Sequence, residues 1–167
     1  MGVVLALAMT IVAGVATSSV LVRREAFCGP AAHVAALLSG APCVKDGVEY
    51  RLIGSDLDLT VAPACAAVDY FCLLAGVLSL LMTRRGVRWG LQLLVLPLAW
   101  ALTIFINALR LTACWQADRL VQPWLPPALW PAPHMAVGIA TFLVGLILVF
   151  WVMTRNTMTA GKDEHHE

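Results

Sequence analysis

Four stretches of this chain are long and apolar enough to cross a bilayer, and they leave little freedom for any other fold. Crossing the hydrocarbon as a helix takes about 20 consecutive, mostly apolar residues. Residues 3–22, 65–82, 89–113 and 134–154 satisfy that requirement. Across its 167 residues the chain is 60% hydrophobic and only 13% charged, against about 25% charged in ordinary soluble domains. The expected fold is an all-α membrane protein, a single domain over residues 1–167 with about four transmembrane helices.

Between the first two spans lies the longest polar part, residues 23–63, read as an extracytoplasmic segment. Its apolar run from Ala31 to Leu38 is too short to span and predicts an interfacial helix or re-entrant turn. Beyond it, Asp46-Gly47 is a turn signal. Leu57, Leu59 and Val61 alternate with Asp58 and Thr60, the period of a strand. The reading is a small hairpin that delivers the chain to Pro63 and the second span. Spans three and four are joined by residues 115–133, whose five prolines argue against a long helix. Trp115, Trp124 and Trp130 in that connection suit an interfacial belt.

Spans two and three are joined by "TRRGVR", with three arginines in six residues. Short basic loops stay cytoplasmic. Both termini then lie inside, and residues 23–63 and 115–133 lie outside the cytoplasmic membrane. Arg23 and Arg24 run against this rule. The net charge of +1 gives no sign of a nucleic-acid partner. There is no glycine-rich phosphate loop, no HExxH and no CxxC, so no cofactor and no metal is expected. The terminal "HHE" reads as a solvated end.

In a chain of alternating spans, the start of the second, the end of the third and the start of the fourth share one membrane face. Cys65, Arg110 and His134 stand at those three ends. Singly, each has a plain explanation: a small buried thiol, an arginine snorkelling to the headgroups, an interfacial histidine after a proline. Together they make a chemical set. A thiol at a helix N-terminus beside an arginine is held toward its nucleophilic form. Histidine takes its proton and returns it to a leaving amine, and arginine stabilises an oxyanion.

Other residues bear on this set. Asn107 is three before Arg110 and shares its helix face, with Cys114 a turn beyond. Asp69 is four after Cys65, so both are expected on the same helix face, and it lies about a turn into the membrane, where it needs a partner. Arg110 is the obvious candidate, and a purely structural Asp69–Arg110 pair competes with the catalytic reading. Cys28 and Cys43 bracket the interfacial run, and a disulfide between them would close a short loop; Cys72 reads as packing. His134, Gly138, Thr141 and Gly145 form one face of small residues that lets another helix approach.

"PACAAVDYF", "NALRL" and "HMAVG" occur in the order Cys, Asn-x-x-Arg, His-x-x-x-Gly. That series, over roughly residues 50–150, resembles the exosortase/archaeosortase family of membrane cysteine transpeptidases, and the short chain is most similar to the exosortase K type. The resemblance implies a multi-pass enzyme whose site faces the extracytoplasmic side. Its substrates would be exported proteins ending in a short motif, a transmembrane helix and a basic end. By motif position Cys65 matches the nucleophile, Arg110 the arginine, His134 the histidine and Asn107 the asparagine. One departure stands out: the family commonly has Cys-Ser-Gly where this chain has Cys65-Ala66-Ala67, which removes backbone freedom after the thiol.

Two other functions compete. A non-enzymatic membrane assembly subunit would need Asp69 and Arg110 but not Cys65. A thiol-redox protein would use Cys65, Cys72 or Cys114 with the cysteines of the 23–63 segment, and the lack of CxxC counts against it. A transporter fits less well, because the polar groups gather at one rim rather than mid-membrane.

Overall fold

A computed structural model describes residues 8, 10, 11, 14, 15, 17–54, 58–87 and 89–160 of the chain. The structure is mostly helical, with α1 (Gly29–Ser39), α2 (Val68–Arg84), α3 (Val95–Val121) and α4 (Pro131–Ala160). A small antiparallel sheet of β1 (Cys43–Asp46), β2 (Glu49–Ile53) and β3 (Asp58–Val61) lies between α1 and α2. Among the described residues three helices are long and apolar enough to cross a membrane: Pro63–Arg84, Gly90–Val121 and Pro131–Arg155. Of the first expected span, residues 3–22, residues 3–7, 9, 12, 13 and 16 lie outside the described residues. Its Thr10 stands against α2, where a Cβ built on Gly76 would come 2.9 Å from the threonine hydroxyl.

The apolar run in the 23–63 segment is indeed helical, as α1. It is entered through a π-helical stretch, Arg23–Cys28, and ends at Gly40, whose φ of 70° a glycine adopts without strain. Its buried positions are Gly29, Ala31, Ala32 and Ala35. Such small residues let α1 lie close against α3, and the Trp100 indole of α3 donates to the Ala26 carbonyl at 2.7 Å. Part of the segment expected outside the bundle is therefore packed onto it.

In place of one hairpin the chain makes three strands. Asp46 pairs with Glu49 across the turn at Gly47, and Tyr50 pairs with Val61 on the other side of β2. Tyr50, Leu52 and Val61 are buried. They join one core with Phe27 and Cys28, Phe71 and Leu74 of α2, and Ala108 and Leu111 of α3. Burying a side chain such as Leu52 contributes about 2 kcal/mol. Glu25 fastens the sheet to the helical entry, accepting from the Lys45 amine at 2.8 Å and the Tyr50 hydroxyl at 2.9 Å.

α3 and α4 depart from their expected ends in a way that matters for the site. α3 continues to Val121, eight residues past the apolar run, because "CWQADRLV" contains no helix breaker before Pro123. α4 begins at Pro131 rather than His134. Proline in a first turn loses only an N–H that has no helical partner there, so Pro131 and Pro133 start the helix instead of breaking it.

Only 11% of the apolar window of α4 is buried, against 44% for α3, so α4 is held through one narrow face. That face carries the small residues. A Cβ on Gly145 would come 2.9 Å from both Ile106 Cδ1 of α3 and the Tyr70 hydroxyl of α2. Lipid tails are as apolar as leucine, so close contact of this kind holds a transmembrane helix in place.

Candidate functional site

Cys65 closes a single 3-10 turn, Pro63–Cys65, in which its amide donates to the Ala62 carbonyl at 2.8 Å. Ala67 then takes φ 52° and ψ 32° and is the N-cap of α2. It is the one non-glycine residue with positive φ among those described. Left-handed backbone is strained for a residue with a Cβ, and this is the position where the resembled family carries glycine. The kink separates Cys65 from the regular helix, so the thiol precedes α2 by three residues and is not in its first turn.

The same kink defeats the expected alignment of Cys65 with Asp69, because i to i+4 spacing places two residues on one face only when a helix joins them. Asp69 sits in the first turn of α2 and is exposed. There a carboxylate complements the positive end of the helix dipole. No ion pair links it to Arg110 among the described residues; Arg110 has other neighbours.

Those neighbours come from α3 and α4. Asn107, fully buried, donates its side-chain amide to the Cys65 carbonyl at 2.8 Å. Arg110 Nη1 donates to the Asn107 carbonyl oxygen at 3.4 Å. The guanidinium carbon lies 5.2 Å from the centre of the Phe142 ring, which stacks on Tyr70 at 4.5 Å. A Cβ on Gly138 would come 3.0 Å from Arg110 Nε. Gly138 is thus small where the arginine crosses it, and Arg110 lies in the α3–α4 seam instead of snorkelling along the surface.

His134 is bound to α3 nearer the C-terminal end of that helix. Its Nδ1 is 3.0 Å from Asp118 Oδ2, and its carbonyl accepts from the Cys114 thiol at 3.4 Å. The anchor of Cys65 on α3, Asn107, and the anchor of the His134 main chain, Cys114, are seven residues apart, about 10 Å of helix. Cys65 and Arg110 are thus joined through Asn107. No hydrogen bond joins the Cys65 thiol to the His134 imidazole among the described residues.

Asp118 is the residue that sequence reasoning misses. The apolar count ends span three at residue 113, which leaves Asp118 in a loop. The available signal is the spacing of Asn107, Arg110, Cys114 and Asp118, three or four residues apart throughout, which marks one continuous helical face.

The possible Cys28–Cys43 disulfide is not formed; all five cysteines are free thiols. Cys28 points into the core and donates to the Ala62 carbonyl at 3.3 Å, the acceptor that Cys65 N–H also uses. Burial, with a smaller effect of nearby Cys65, pushes the Cys28 thiol up to about 11. Cys43 instead begins β1, opposite Leu52. No cluster of three or more histidine, cysteine or acidic side chains that could hold a metal ion occurs among the described residues.

The site thus consists of a half-buried thiol on a strained turn, a guanidinium coupled to that turn by an asparagine, and an imidazole fastened to a carboxylate. These are the residue types that acyl-thioester chemistry uses as nucleophile, oxyanion partner and proton carrier. No family model matches the chain, and no curated protein or solved structure compared with it is similar.

Proposed function

We propose that the protein is a membrane cysteine peptidase or transpeptidase of the kind its sequence resembles, the exosortase/archaeosortase family. Its substrates are exported proteins whose C-terminal tail has a short motif, a transmembrane helix and a basic end. The observation that carries the proposal is the Cys65–Asn107–Arg110 connection. It couples a thiol turn to a guanidinium on another helix, and a snorkelling arginine would not require it.

Cys65 attacks the scissile carbonyl and forms a thioester. Arg110 stabilises the oxyanion, and Asn107 holds the Cys65 turn in register with it. His134 accepts the thiol proton and passes it to the leaving amine as the C–N bond breaks. Its anchor lies nearer the C-terminal end of α3 than that of Cys65, so the proposed proton transfer requires the substrate-bound site to bring the two side chains within hydrogen-bond reach. An acceptor amine or water then releases the acyl group. Arg84 and Arg85 at the far end of α2 support a cytoplasmic position for that end, and with it a site on the extracytoplasmic face of the cytoplasmic membrane.

The rival reading, an assembly subunit, rests on an Asp69–Arg110 pair, which the side-chain contacts do not include. Cleavage of a tailed reporter in membranes tests the proposal. Cys65→Ala, Cys65→Ser and Arg110→Ala abolish processing; normal processing in both Cys65 variants overturns it.

A further inference from the structure

We infer that Asp118 is the positioning residue for His134, fixing the imidazole with its proton on Nδ1 and leaving Nε2 as the proton-accepting nitrogen. The inference rests on the acyl-transfer reading above and assigns a role to a residue outside the resembled motif.

His134 occupies the first turn of α4, and its side chain is 43% exposed. An imidazole so placed has several rotamers and two tautomers open to it. Two contacts with one face of α3 remove that freedom. The carbonyl of His134 accepts from Cys114, and Nδ1 meets the carboxylate of Asp118. Cys114 and Asp118 are four residues apart, stacked one turn above the other.

A carboxylate only accepts hydrogen bonds, so the ring nitrogen facing it carries the hydrogen. In the neutral ring the lone pair is then on Nε2. The other Asp118 oxygen is buried without a hydrogen-bond partner, an arrangement that costs stability and is unexpected of a purely structural tie. In the proposed reaction the Cys65 S–H proton goes to Nε2 as the S–C bond forms. The Nε2–H proton goes to the amine nitrogen as the C–N bond breaks. The acceptor N–H or O–H then returns a proton to Nε2, and the Cys65 thiolate leaves.

The test uses the full chain in lipid nanodiscs with a tailed reporter substrate, together with nitrogen-15 spectra of histidine-labelled protein, the His134 signal being assigned by its loss in His134→Gln. We expect wild type to show the Nδ1–H tautomer, and Asp118→Asn to mix tautomers. Asp118→Asn should lower kcat at least about tenfold with KM little changed, and Asp118→Glu should restore most of it. Wild-type kcat or an unaltered tautomer in Asp118→Asn overturns the inference. Should that variant not fold, an Nε2–H tautomer in wild type overturns it, and an Nδ1–H tautomer with an active Asp118→Glu supports it. Loss of cleavage in Cys65→Ser beside a fully active Asp118→Asn defeats this inference alone; cleavage surviving in both Cys65 variants defeats the acyl-transfer reading itself.

Discussion

The side chain of Asn107 donates to the main-chain carbonyl of Cys65 at 2.8 Å, tying α3 from a fully buried position to the turn that precedes α2. Removing the donor leaves that carbonyl without its partner, at a cost of about 1–3 kcal/mol. Asn107→Leu keeps the branched four-atom side chain and lacks the donor, so it should melt as early as Asn107→Ala in detergent and lose cleavage. Wild-type melting of the leucine variant would show that the hydrogen bond contributes nothing.

Ala67 bears a left-handed backbone that glycine would adopt freely. Ala67→Gly should raise stability by about 1 kcal/mol, the order of the left-handed penalty, and preserve cleavage. Ala67→Val should do the reverse. A glycine variant less stable than wild type would mean that the Ala67 methyl packs more favourably than its backbone is strained.

Gly138 and Gly145 lie on the same face of α4 and should respond differently to alanine. At Gly145 the added methyl meets Ile106 and the Tyr70 hydroxyl together, and overpacking of this kind costs about 1–3 kcal/mol. At Gly138 it meets the flexible end of Arg110. We expect Gly138→Ala to leave the melting temperature nearly unchanged while reducing cleavage, because the guanidinium is displaced. Equal melting losses at both sites would contradict this.

Thiol chemistry gives a direct check on the cysteines. Alkylation after denaturation without reductant should modify all five, whereas a Cys28–Cys43 bond would leave two unmodified. In the native protein Cys65 should react ahead of Cys28, which is fully buried and whose thiol is pushed up to about 11.

Glu25 links stability to acid. Hydrogen bonds from Lys45 first and Tyr50 second hold its carboxyl at about 2, below the ordinary 4.5. A group whose pKa is lower when folded binds more protons when unfolded. Its stabilisation is therefore complete above about pH 4.5 and is lost as pH falls toward 2. Glu25→Gln should flatten the dependence of melting temperature on pH in that window; an unchanged slope would assign the dependence to other carboxylates.

The second, third and fourth apolar spans are legible because the bilayer demands long apolar runs and the chain supplies them. The common rim of Cys65, Arg110 and His134 follows from alternating direction alone. Two kinds of feature are not legible. A helix that leaves the hydrocarbon keeps its backbone pattern while its composition turns polar, so an apolar count truncates α3 before Asp118. A left-handed residue at Ala67 has no marker in "ACAAV", and without it Asp69 falsely lines up with Cys65 and toward Arg110. The third strand is hidden for a related reason: β2 pairs on both sides, so its partners are set by the sheet and not by a turn next to it.

α3 has 27 residues, about 40 Å of helix, while the hydrocarbon is about 30 Å thick. About 10 Å of a spanning α3 must therefore stand outside the hydrocarbon, and the polar residues Gln116, Asp118 and Arg119 make its C-terminal turns the part best suited to the headgroups. Asn107 and Asp118 are eleven residues apart on that helix, about 16 Å, so a boundary whose height is set by acyl-chain length would fall between the two halves of the proposed site. If the protein is the proposed acyl-transferring enzyme, the thickness of the surrounding lipid becomes a variable of its chemistry in the same sense that pH is for a soluble hydrolase.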